Sequence, residues 1–249
     1  MSLHRLEVSI SAHQPSEAHG SLRWFTNTTL YRAWLSESRG EIVCPRFIWY
    51  ATKEHPHFGS LFAAARRAEG VQVLYIDCSL RYPDHVLDGE HTLEAQQGIW
   101  RYPLIRSSKA AFILWCLIGQ ALQGRCQSAG EVGACISKIL KQYPGTFVDI
   151  QEGGKTTLEP FEKLLQSALN IDPNEEATII LDHVDAIDGM TLKPLRESVQ
   201  KVLDGQREDD VAKVRCLITG KPTPDVSSSF QGTASIDEDT EYLGELLVI

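Results

Sequence analysis

Three short runs decide what this chain can fold into. VQVLYID (71–77), ATIILD (177–182) and VRCLIT (214–219) are apolar almost throughout and rich in β-branched residues. A strand with one wet face alternates apolar and polar residues. A run without that alternation belongs to a parallel sheet covered on both faces. Between these runs the apolar spacing changes to that of helices. Ser60 to Ala68 is one such stretch. A helix opened by Ser107 carries AAFILWCLIGQAL (110–122), and Glu131 to Gln142, Thr156 to Asn170 and Thr191 to Leu203 are three more. Thr156 with Glu159 forms a capping box that satisfies two orphan amides. Strands alternating with helices predict an α/β fold, three layers deep, with a mostly parallel central sheet flanked by helices and with VQVLYID, ATIILD and VRCLIT as its central strands.

Around this frame, Leu22 to Leu35 predicts short helices broken at Thr26-Asn27-Thr28-Thr29, and Ile42 to Tyr50 is a β-branched and aromatic run interrupted by Pro45. Residues 80–104 carry turn formers and two prolines and predict an irregular connection. Thr233 to Ile236 is a candidate short strand, and the acids of DEDTEYLGELL (237–247) sit where they favour the start of a helix.

Composition removes several classes of function. With 24 basic against 33 acidic residues, the net charge of −9 opposes a general nucleic-acid or anionic-membrane surface. The longest apolar stretch, 110–122, falls short of the roughly 20 residues that span a bilayer. The first twenty residues lack a signal-peptide core and read as a mobile leader. Six cysteines form no C-x-x-C pair. Cys44, Cys78, Cys116 and Cys216 lie in apolar runs, as core residues do in a reducing compartment. A cytoplasmic protein without membrane insertion is the expectation. His55, His57, His85, His91 and His183 have no carboxylate or cysteine at diagnostic metal-site spacing and read as solvated or packing residues.

Chemistry is concentrated at two strand ends. The second run closes on Leu181-Asp182-His183-Val184-Asp185-Ala186, and the third on Thr219-Gly220-Lys221-Pro222. Four apolar residues and then Asp at the carboxyl end of a parallel strand is the layout of a Walker B site, where the carboxylate holds Mg²⁺ beside nucleotide phosphates. The same layout also describes a strand ending in an Asp-capped turn.

Taken in order, these segments resemble the NACHT-type domains of the STAND class of P-loop NTPases, a set common in filamentous fungi. The resemblance covers about residues 20–249. It begins with Trp24-Phe25 and Trp34-Leu35 and continues through Arg106-Ser107-Ser108 and Ile113-Leu114-Trp115-Cys116-Leu117-Ile118-Gly119-Gln120. It ends with Asp182, Asp185 and Thr219-Gly220-Lys221-Pro222. It implies a leader at 1–20, a nucleotide-binding-fold domain at 21–236 and the start of a truncated helical lid at 237–249. It also implies Mg²⁺ on Asp182, water orientation by Asp185, and ATP or GTP beside Lys53, Gly59, Ser60, Thr219 and Lys221.

The departures are as informative. A Walker A loop, GxxxxGK[ST], closes backbone amides and a lysine around phosphate. The segment in its place runs Ala51-Thr52-Lys53-Glu54-His55-Pro56-His57-Phe58-Gly59-Ser60. With Ser60 as the Mg²⁺-binding hydroxyl, Gly59 replaces the lysine and Phe58 the last glycine, while Pro56 lacks an N–H. Ala186 stands where the family has the glutamate that polarises water. Gly153-Gly154-Lys155-Thr156-Thr157 contains a Gly-Lys-Thr, but the full motif needs glycine where Asp149 stands, and helix capping is the better account. The expectation is a degenerate domain with little or no hydrolysis, acting on a protein partner in signalling. The alternative is a weakly active ATP or GTP switch with an atypical phosphate loop.

Overall fold

The computed structural model describes residues 15–35, 46–51, 57–79, 109–123, 130–131, 134, 137, 158–170, 176–205, 214–229, 234–237 and 241–242. By internal packing the chain divides into two compact units. The first comprises Met1–Asp77, Ala177–Ala186 and Val214–Ile249, the second Cys78–Glu176 and Ile187–Lys213.

The first unit holds the sheet. Its strands are β1 (Phe47–Ala51), β2 (Gln72–Asp77), β3 (Ala177–Asp182), β4 (Val214–Gly220), β5 (Ser235–Asp237) and β6 (Glu241–Tyr242). They lie in the order β2-β3-β4-β1-β5-β6. All neighbours are parallel except β5 and β6. The α/β class and the mostly parallel sheet expected from the sequence are therefore what the chain forms. Every residue of β3 and β4 is buried, as their unbroken apolar runs require.

Helices α1 (Pro15–Asn27), α2 (Thr29–Leu35) and α3 (Phe58–Ala68) belong to the same unit. The break between α1 and α2 falls at Thr28, whose hydroxyl donates to Phe25 O at 2.7 Å and accepts from Tyr31 N at 3.1 Å. Such local bonding lets threonine end one helix and cap the next. Phe25 is fully buried, with ring centroids 5.2 Å from Tyr31 and Tyr50, 5.1 Å from Phe58 and 5.6 Å from Phe62. Together with Leu30, Trp34, Ile48, Ile180 and Leu217 these rings form a core against one face of the sheet. Arg215 of β4 ties α2 down: its Nε donates to Trp34 O at 2.6 Å and its Nη2 to Leu35 O at 2.9 Å, at carbonyls left open by the helix end.

The second unit is helical among its described residues. Helices α4 (Lys109–Gln123), α5 (Glu159–Leu169) and α6 (Gly189–Gly205) pack on one another. Buried Glu162 of α5 accepts from Ser198 Oγ at 2.6 Å and Lys201 Nζ at 3.4 Å, both on α6. Asp188 caps α6 through Thr191 N and Thr191 Oγ1, both at 2.8 Å. One further short helix, α7 (Pro224–Ser229), follows β4 in the first unit. None of the helices is long and apolar enough to cross a membrane, among the described residues.

Four expectations need correction. VQVLYID is not a central strand: β2 lies at an edge of the described sheet and alternates in burial, while β1 lies between β4 and β5. Its apolar run combines a buried face of Leu74 and Ile76 with half-buried Val73 and Tyr75 on the other face, a pattern that does not separate it from a doubly buried strand. Residues 15–20 of the leader already belong to α1. Helix α5 begins at Glu159 behind Leu158, which caps it with no side-chain bond, and Pro160 occupies its first turn. Residues 241–242, within the segment expected to start the helical lid, pair antiparallel with β5.

Truncating Phe25 removes the ring that four other aromatics pack against. Phe25→Ala is expected to lower unfolding free energy by about 3–5 kcal/mol, measured by denaturant titration. A loss below about 1 kcal/mol would show that α1 contributes little to the core.

Candidate functional site

The sheet order places the candidate residues. Strand β1 leads through α3 to β2 at one edge, whereas β4 leads through α7 to β5 on the other side of β1. A reversal of crossover direction marks the carboxyl edge at which open α/β sheets bind ligands. Asp182 ends β3 and Thr219 lies one residue from the end of β4, so both stand at that edge.

Register extends the row. Asp77 of β2 is paired with Asp182, and Thr219 with Tyr50 of β1. Tyr75, two residues before Asp77, shares its face because side chains alternate along a strand. Asp182 is 3% exposed, and its carboxylate takes its side-chain donors from this row. Oδ1 accepts from Thr219 Oγ1 in a short hydrogen bond and from the His183 backbone N–H at 3.1 Å. Oδ2 accepts from the Tyr75 hydroxyl at 2.8 Å. Burial pushes the Asp182 carboxyl above its ordinary range. The positive charge of His183 and the Thr219 and Tyr75 hydroxyls pull it back.

His183 follows with a φ of 53°, in the left-handed region. That conformation costs a non-glycine residue about 1–2 kcal/mol. It turns the ring back over the strand ends, where Nδ1 donates to Asp77 Oδ1 at 3.1 Å and lies 3.7 Å from Asp182 Oδ2. The bond to Asp77 is the main reason its pKa is raised to about 9, with Asp182, Asp77 and Asp185 adding attraction against partial burial. At neutral pH the ring is an imidazolium between two carboxylates.

The loop side of the site differs from the register inferred from the sequence. Gly59, in the first turn of α3, is the residue against Asp182. A Cβ on it would overlap the carboxylate, reaching 2.7 Å from Oδ1 and still closer to Cγ and Oδ2. Ser60 instead donates its hydroxyl to His57 O at 2.9 Å. Phe58, one residue before Gly59, is fully buried in the aromatic core.

Asp185 lies in a 3-10 turn, Val184–Ala186, and its Oδ1 accepts the Lys221 backbone N–H at 2.9 Å. Gly220 permits this approach, since a Cβ there would stand 2.9 Å from the same oxygen. Asp185 therefore ties the turn after β3 to the turn after β4, and Lys221 takes part through its backbone while its side chain is exposed. Lys53 and Pro56 lie outside the described residues, as does the Gly-Lys-Thr at 154–156. The structure thus joins Asp182, Thr219 and Gly59 in one cluster and Asp185 with Lys221 in an adjoining one, and directs Ser60 away.

Three contributors were not singled out as a site from the sequence: Tyr75, Asp77 and His183. The signal available was that VQVLYID and ATIILD both end in Asp. Side-by-side pairing of those ends needs register, which sequence spacing does not supply. His183 is neither a solvated nor a packing histidine but the ion-pair partner of Asp77.

The resemblance implies Mg²⁺ with ATP or GTP beside Asp182, and the residues present do not fit that ion as arranged. A carboxylate offers about four lone-pair positions. Three accept from Thr219, His183 N and Tyr75, and the remaining side faces the imidazolium. A second cation there would meet a like charge. No group of three or more His, Cys, Asp or Glu residues is placed to hold a metal ion, among the described residues. No protein-family model matches the chain, and no curated protein matches it.

Two outcomes follow. A methyl at position 59 must displace the Asp182 carboxylate, so Gly59→Ala is expected to cost about 1–3 kcal/mol. That cost should shrink on an Asp182→Ala background; an additive double-mutant cycle by chemical denaturation would exclude the contact. His183 has a folded pKa above its unfolded value, so its stabilisation is complete below about 6.5 and is lost as pH rises through about 9. The wild-type Tm should fall across that window more steeply than that of His183→Asn, and equal slopes would remove the ion pair from the account.

Proposed function

We propose that this chain is a NACHT-type phosphate-fold module that has lost hydrolysis and serves, in the cytoplasm, as a regulatory or protein-interaction element in signalling. The observation that carries this reading is the identity of the residues facing Asp182 from the start of α3. In a working P-loop that position holds the Mg²⁺-binding hydroxyl, preceded by the phosphate-binding lysine. Here it is Gly59, preceded by Phe58 buried among aromatic rings. Shifting the register to restore Ser60 does not help, because its hydroxyl is bonded back to His57.

The class itself is supported by connectivity. Strand β2 lies in sequence between β1, which precedes the loop, and β3, which carries Asp182, as the resemblance requires. Asp182 and Thr219 meet at one carboxyl edge. The loss of turnover is supported by electrostatics. Preorganised donors are usually the largest catalytic contribution, and losing one commonly costs on the order of 10²–10³ in rate. Asp185, left without the glutamate at 186, is engaged with Lys221 N.

Purified protein supplied with Mg²⁺ and ATP or GTP is expected to release phosphate at the uncatalysed background. Asp182→Ala should lower Tm while leaving that background unchanged. Steady phosphate release that co-purifies with the protein and disappears in Asp182→Ala would overturn the proposal.

A further inference from the structure

We infer that the His183 side chain occupies, between Asp77 and Asp182, the place in which a divalent cation would sit against the end of β3, so that the wild-type site excludes such ions. The inference deepens the proposal above and rests on it for the role of Asp182 as the strand-end carboxylate of that class.

The geometry is that of a cation site with the cation supplied by the chain. Asp77 and Asp182 are register partners on neighbouring parallel strands, so their carboxylates project from adjacent positions at one sheet edge. Two acids so placed repel unless a positive group stands between them. His183 Nδ1 is that group, at 3.1 Å from one and 3.7 Å from the other. Its backbone is held in a left-handed conformation that an extended strand residue would not adopt, and this is what folds the ring back over the acids. The main-chain N–H of the same residue adds a donor to Asp182 Oδ1. One residue therefore supplies both a fixed charge and an amide where a metal ion would need open coordination positions on hard oxygen ligands.

The exclusion is steric as well as electrostatic. Mg²⁺ takes oxygen ligands at roughly 2.0–2.1 Å in a near-octahedral shell, usually keeping several waters. That shell and an imidazole ring cannot share the space between carboxylates that the ring already bridges. Removing the ring leaves Tyr75, Thr219 and both acids in place. Asparagine at 183 retains the tolerance for positive φ and carries no charge.

The test uses Mn²⁺ alone as the probe, with the full chain at neutral pH and without nucleotide, followed by electron paramagnetic resonance and calorimetry. Wild type is expected to show no saturable binding. His183→Asn should gain one saturable Mn²⁺ site where wild type has none, because the ring that fills the space between the two acids has been removed. Adding Asp77→Asn to that variant should abolish the gain. If His183→Asn does not fold, His183→Gly is the second variant, since glycine adopts the same φ freely. A folded His183 variant without the gain overturns the inference, as does saturable Mn²⁺ binding by wild type that Asp77→Asn removes; the wild-type arm stands whether or not a variant folds. Nucleotide turnover by wild type would overturn the proposal on hydrolysis and leave the Mn²⁺ result intact, so the two fail separately.

Discussion

A carboxylate that is almost wholly withdrawn from water has to be satisfied by the chain, and much of this sheet edge is arranged around that requirement. Leaving a buried charge unpaired costs several kcal/mol, more than most single contacts return. Asp182 meets the demand by drawing on β2 through Tyr75, β4 through Thr219 and its own C-terminal neighbour through the backbone. The two side-chain donors depend on register. A slip of one residue in either neighbouring strand would turn Tyr75 or Thr219 to the opposite face of the sheet. The carboxylate thus helps specify strand pairing, and β2, which lies at an edge, gains from it the most.

The α3 end of the site follows the same logic. The first turn of a helix exposes unpaired amides and a partial positive charge, which favours a nearby anion. In this chain the nearby anion is Asp182 itself, brought close by the absence of a side chain at Gly59. Phe58 and Phe62 turn the adjoining part of the helix into the aromatic core. A helix start that packs against a protein carboxylate and anchors a ring stack is committed to the fold, and less of it is left for phosphate.

Much of the sheet was legible from local pattern. The apolar runs of β3 and β4 are long enough and rich enough in β-branched residues to announce buried parallel strands, and Asp182 and Thr219 at their ends were recognisable by type. What escaped was whatever depends on the order of strands. A strand near Ile48 was legible from its β-branched and aromatic residues, but nothing local in Phe47–Ala51 announces that it has two partners. Tyr75 and Asp77 become site residues only because β2 docks beside β3, more than 100 positions further along. The one-residue offset between Ser60 and Gly59 reflects helix phase, which a degenerate motif cannot set.

Arg215 has a consequence for how the molecule is made. It closes the end of α2 by reaching back to residues 180 and 181 positions earlier, and the ring cluster on α1 and α2 packs on the same strands. At roughly 5–20 residues per second, a ribosome needs about 10–40 s to produce that intervening stretch. During that interval Phe25, Tyr31 and Trp34 have no β4 to cover them. Long-range closure of this kind slows folding and leaves apolar surface exposed on the nascent chain. The amino-terminal helices therefore wait for β4 before their apolar faces are covered, a delay in which chaperone cover protects them.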